Sequence, residues 1–118
     1  MTDQNTTTRS VLPHHKLLAY GAAVELLVAV KAANIRDATL RDHAMRSAKS
    51  ACLNSAEGAG RVTRADKARA FAIARGETVE AVAAVEIAAL SGEADAAAAA
   101  RCVELANRVV ALLTGLIR

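Results

Sequence analysis

The stretch "SACLNSAEGAGRVTRADKARAFAIARGETVEA", Ser50 to Ala81, decides the fold. In its first part small residues fall at Ala51, Ser55 and Gly58, three to four positions apart, which is the spacing of one helix face. Gly58 or Gly60 then offers a stop, Thr63 a new N-terminal cap, and Phe71, Ala74 and Thr78 resume the same period. The stretch reads as the end of one helix, a tight turn and the start of another, and so short a connection predicts antiparallel neighbours. It also concentrates polar residues: Asn54, Glu57 and five Lys or Arg stand in an otherwise alanine-rich chain.

Working outward, Pro13 and the turn-like residues at Asn34 and Gly92 divide the rest of the chain. The expected helices span 14–33, 37–59, 63–91 and 93–117, with Asp37 capping the second. Residues 1–13 are expected to be a flexible polar tail and residues 14–118 one all-α, up-down-up-down four-helix bundle. The chain has 118 residues, 53% hydrophobic but only 2% aromatic, so its apolar content is Ala, Val and Leu. Such a core predicts helices packed closely. Ala44, Ser47, Ala48, Ala51, Ser55 and Gly58 form the inner side of helix two, all small enough to let another backbone approach.

Helices three and four are apolar on more than one side. Helix three carries Phe71, Ala74, Thr78, Val82, Val85 and Ala89 in one line. Helix four has two lines, one through Cys102, Leu105 and Val109, the other through Ala106, Val110 and Leu113. One bundle core cannot use both, and the surplus predicts a ring-like homo-oligomer.

Several function classes lose support. Tyr20 and Phe71 are the only aromatics, so the base-stacking platforms of many RNA-binding folds have no counterpart, and any nucleic acid would be held by its phosphates. Cys52 and Cys102 lack zinc or disulfide spacing and read as buried thiols. His14 and His15 diverge on a helix and His43 stands apart, so no metal or other cofactor is expected. "MTDQNTTTRS" has no apolar signal core and Leu17 to Val30 is interrupted by Glu25, which predicts a cytoplasmic protein without a membrane anchor. "ARAFAIARGETVEA" imitates a helix-turn-helix at Gly76, but the apolar period continues through it.

Charge is uneven. Residues 36–75 hold nine Lys or Arg against four Asp or Glu, and residues 76–118 hold three against six. Arg61, Arg64, Lys67 and Arg69 at the junction of helices two and three, with Arg41, Arg46 and Lys49 farther back, form the expected nucleic-acid-binding patch. A solvated face or a dock for an acidic protein partner are the other readings of the same charges. Asn54, Glu57 and Arg75 stand among small apolar neighbours and are expected to form a buried polar cluster fixing helix register. The catalytic alternative makes Glu57 or Glu80 a base beside Arg75, but no nucleophile, base and orienting residue assemble by spacing. No catalytic residue is assigned.

"RSAKSACLNSAEGAGR" followed by "RAFAIARGETVEA" resembles the signature of a four-helix-bundle family that includes the ribosomal-RNA intervening-sequence proteins. The matching positions are Ser50, Asn54, Ala56, Glu57, Gly58, Arg61, Phe71, Ala74, Arg75, Gly76 and Glu80, and the closing "LLTGLIR" is similar as well. The likeness covers about residues 15–118. Related to this family are the accessory variability determinants of diversity-generating retroelements, basic pentameric bundles that bind a reverse transcriptase and nucleic acid. The resemblance implies a non-enzymatic homopentamer with RNA or DNA and a reverse transcriptase as partners. It also implies that Asn54, Glu57, Arg75 and Glu80 are the architectural polar cluster. Ser55, Ala59 and Glu77 depart from the pattern, which has a hydrophobic residue, an aromatic and a Ser there.

Overall fold

The computed structural model describes residues 12–118. Among them there are four α-helices and no strand: α1 Leu18–Ala32, α2 Ala38–Gly60, α3 Arg64–Leu90 and α4 Ala96–Ile117, preceded by a 3-10 turn at Pro13–Lys16. The expected tail over residues 1–11 lies outside the described residues.

Helix one begins later than the sequence suggested. Pro13 fixes a 3-10 turn and Leu17 is extended (φ −83°, ψ 117°), so the α-helix starts at Leu18. His14 and His15 consequently do not diverge along an α-helix: their rings lie 4.4 Å apart, and His14 meets Tyr20 edge-on at 4.8 Å. The other starts follow from capping. Asp37 accepts from Leu40 N at 2.9 Å, Thr63 Oγ1 from Asp66 N at 3.1 Å, and Asp95 from Ala98 N at 3.1 Å. Each satisfies one N–H that a first helical turn leaves open. Asp95 moves the start of the fourth helix from the expected 93 to 96.

Turns fall where conformation demands it. Asn34 (φ 50°) and Gly92 (φ 77°) are the two described residues that turn through the left-handed region. Their loops meet: Arg36 N donates to Glu93 O at 2.8 Å, and the Arg36 guanidinium donates to Gly92 O. α3 runs unbroken through Gly76, so no helix-turn-helix exists there.

Packing follows the small residues. α2 and α3 share the broadest contact; α3 also packs on α4, and α1 closes against α4 and α2, while α2 and α4 do not touch. Ala44, Ser47, Ala48, Ala51, Ser55 and Gly58 are all buried on α2, as their spacing required. Phe71 of α3 lies flat over Gly58: a Cβ there would stand 2.5 Å from Phe71 Cε1, well inside contact distance. Large side chains are few, with Leu26, Val85, Val109 and Leu113 fully enclosed. α4 buries Cys102, Leu105, Ala106, Val109 and Leu113, a stripe running between its two apolar lines and drawing on both. What remains outside includes Leu18 (68% exposed), Val28 (62%) and Leu116 (41%) on α1 and α4.

Candidate nucleic-acid interface

The seven basic residues picked out by sequence do not behave as one patch. Near the α2–α3 junction most are occupied within the chain. Arg61 pairs with Glu57 one helical turn earlier, which also holds its guanidinium protonated. Lys67 Nζ donates to Ala59 O at 2.9 Å and Gly58 O at 3.3 Å, where the carbonyls at the end of α2 lack helical partners. Arg64 donates to Arg118 O. Only Arg69 of this group has no hydrogen-bond or ion-pair partner among the described residues. The junction does form a cleft of about 210 Å³, but Glu57 and Asp66 line it together with Arg61 and Arg69, so its charge balances.

The first half of α2 is different. Arg46 and Lys49 are exposed and make no ion pair among the described residues. Arg41 spends one nitrogen on the carbonyls of Ile35 (3.1 Å) and Arg36 (3.5 Å), which leaves its remaining N–H groups open. Between α1 and α2 runs a groove of about 390 Å³ lined by Lys31, Arg41, Asp42 and Lys49, with Val30, Ile35 and Met45 as its apolar part. Three cations face one carboxylate there. Lys31 was absent from the sequence-derived patch, since nothing in the linear order links the end of α1 to the middle of α2. Its place in the final turn of α1, where a cation suits the helix dipole, was the one available signal.

The buried polar cluster is not formed, and this corrects the expectation for Asn54, Glu57, Arg75 and Glu80. Glu57 and Arg75 both lie exposed and are bonded elsewhere, Glu57 to Arg61 and Arg75 to α4. Arg75 Nε donates to Thr114 Oγ1 of α4 at 2.9 Å, and Glu80 meets His43 of α2 at 3.1 Å. Asn54 turns back on its own helix, donating to Ser50 O at 2.9 Å and Ser50 Oγ at 3.1 Å. The reason is helix phase: the positions facing α3 from α2 are taken by Ser55 and Gly58, with the Phe71 ring filling the space. Arg75 and Glu80 thus tie α3 to α4 and to α2 separately.

The chemistry of the cleft beside Glu57 is limited. Its lining supplies carboxylates, guanidinium groups and an amide, but no hydroxyl, thiol or imidazole to act as a nucleophile or proton relay. Cys52 and Cys102 are buried away from it, and burial pushes both thiols up, so they stay protonated near neutrality. No group of three His, Cys, Asp or Glu among the described residues is placed to hold a metal ion. No helix of the described residues is long and apolar enough to cross a membrane.

Four helices around an alanine-rich core, with chemistry confined to exposed side chains, define a four-helix-bundle protein. Residues 16–115 match the family described as 23S rRNA-intervening sequence protein, and the chain belongs to that family. No curated protein matches the chain.

Proposed function

We propose that this protein is a non-catalytic binding module that holds the phosphates of RNA or DNA in the α1–α2 groove. The observation that carries the reading is the set Lys31, Arg41 and Lys49 around a single acid, Asp42, with Arg46 exposed on the same helix. Arg41 and Lys49 are eight residues apart on one helix, about 12 Å along its axis, enough for the two to engage different phosphates of one strand. Each phosphate neutralised releases counterions, so a few such contacts accumulate into measurable affinity. The family membership and the chain's net charge of +3 support the same reading.

The bundle is proposed to be up-down-up-down and to assemble as a homopentameric ring in the cytoplasm, repeating the groove around its rim. The apolar side chains left outside on α1 and α4, Leu18, Val28 and Leu116, support assembly. The likeness to accessory variability determinants supports a role beside a reverse transcriptase. A scaffold docking an acidic protein is the second reading, favoured by the same cations if phosphates prove irrelevant.

The test is binding of a short structured RNA, followed by anisotropy at low and moderate salt, for the wild type and for Lys31→Glu/Lys49→Glu. Affinity that falls steeply with salt in the wild type and is lost in the double variant supports the proposal. Affinity indifferent to both salt and reversal overturns it.

A further inference from the structure

The α1–α2 groove holds more than cations. Val30 and Ile35, 2% and 3% exposed, form its floor, and half-buried Met45 lines it beside them. Asn34 brings an amide to it from the turn that leaves α1, where the backbone is left-handed (φ 50°). Asp42, Met45 and Lys49 follow one another at three and four positions along α2, so a carboxylate, a thioether and an ammonium share one side of that helix.

Phosphate binding alone leaves two of these features unused. The first is Asp42. An acid among lysines can serve to hold them in place, but Asp42 forms no ion pair among the described residues, with Lys31, Arg41 or Lys49. A free carboxylate repels phosphate, so a surface built for phosphates alone would bind them better without it. What a carboxylate accepts is N–H, and the exocyclic amino groups of cytosine, adenine and guanine are such donors. The second feature is the recess itself. Its volume of about 390 Å³ lies at the lower end of the range, about 300–1,000 Å³, of sites that take small molecules. A base inside a duplex has its faces covered by stacked neighbours and its pairing edge by its partner. It can neither enter a recess nor turn that edge to Asp42 unless it leaves the stack.

We infer, building on the phosphate-binding reading of the same groove, that it seats one unpaired nucleotide of a single strand. Lys31 and Lys49 engage phosphates of that strand, the base lies against Met45, and Asp42 accepts from the base's amino group. Arg41, already donating to the carbonyls of Ile35 and Arg36, is a fixed positive charge in the wall. Tyr20 and Phe71 are engaged elsewhere, so the contact with the base is aliphatic: the phosphates carry the affinity and the base adds selectivity. Uracil, which has a carbonyl where cytosine carries its amino group, is the base that Asp42 disfavours.

Anisotropy of short labelled RNAs at neutral pH and low salt tests it, with oligocytidine, oligouridine and a duplex of equal length as probes. Oligocytidine should bind about five-fold more tightly than oligouridine, the net worth of one hydrogen bond. The duplex carries more charge per unit length and would win on phosphates alone, yet it should bind more weakly than oligocytidine. Asp42→Ala changes an exposed position, so circular dichroism should report unchanged helix content. This variant should bind oligouridine more tightly than the wild type does and erase the gap between the two single strands. A duplex bound as tightly as oligocytidine overturns the inference, and so does equal binding of the two single strands or a preference that survives in Asp42→Ala. In each of those cases, binding that weakens with salt and is lost in Lys31→Glu/Lys49→Glu leaves the phosphate reading standing. Failure of every probe to bind at low salt overturns both.

Discussion

The two halves of α2 use similar residues for opposite purposes. From Arg41 to Lys49 the cations are presented outward, around one carboxylate. From Glu57 into the start of α3 two of them are engaged within the chain: Arg61 with Glu57 at the surface, and Lys67 with the last carbonyls of the helix. A lysine hydrogen-bonded to two carbonyls has already exchanged its water for protein, and recruiting it to a phosphate would reopen a helix end. Charge count alone therefore does not separate the cations that stay free from those already engaged within the chain.

The contrast can be broken most forcefully at its packed end. Gly58→Ala drives a methyl into the Phe71 ring, and overpacking of this kind costs about 1–3 kcal/mol; urea unfolding should show the loss, with RNA affinity at the groove intact. In the exposed half the effect is reversed. Lys31→Glu/Lys49→Glu should cut RNA affinity at least tenfold at low salt and leave the urea midpoint in place, whereas Arg61→Glu/Arg64→Glu should have the smaller effect on binding. Equal losses from both pairs would show that the two halves are not distinct.

Smaller changes sharpen the same division. Ser55 Oγ is buried with no hydrogen-bond partner among the described residues, so Ser55→Ala should raise stability by about 1 kcal/mol. Lys67→Met keeps most of the side-chain volume and removes the ammonium from Gly58 O and Ala59 O, and should cost about 1 kcal/mol. A matching fall in RNA affinity alone, with stability unchanged, would return Lys67 to the interface. Arg61→Gln, which deletes an exposed pair within one helix, should not move the unfolding midpoint measurably.

How much of this was legible in the sequence depended on whether a feature was periodic or crossed between helices. The small face of α2, the caps at Asp37 and Thr63 and the turns at Asn34 and Gly92 follow from local rules, and the structure has them. The start of α1 was missed because Pro13 also suits a 3-10 turn. The polar cluster failed for a different reason. Glu57 and Arg75 look buried when each is compared with its sequence neighbours, yet at about 100° per residue each falls more than a quarter turn away from the buried face of its helix. Lys31 was invisible because its partners lie on another helix, and the groove exists only once α1 packs against α2.

The ring of Phe71 resting on Gly58 links two positions thirteen apart into a single lock and key. Neither can vary freely: a side chain at 58 requires a smaller residue at 71, and a smaller residue at 71 opens a hole that only a side chain at 58 could fill. Across related sequences these two sites should therefore mutate as a pair. In the laboratory the double exchange Gly58→Ala/Phe71→Leu should be tolerated better than the sum of its parts.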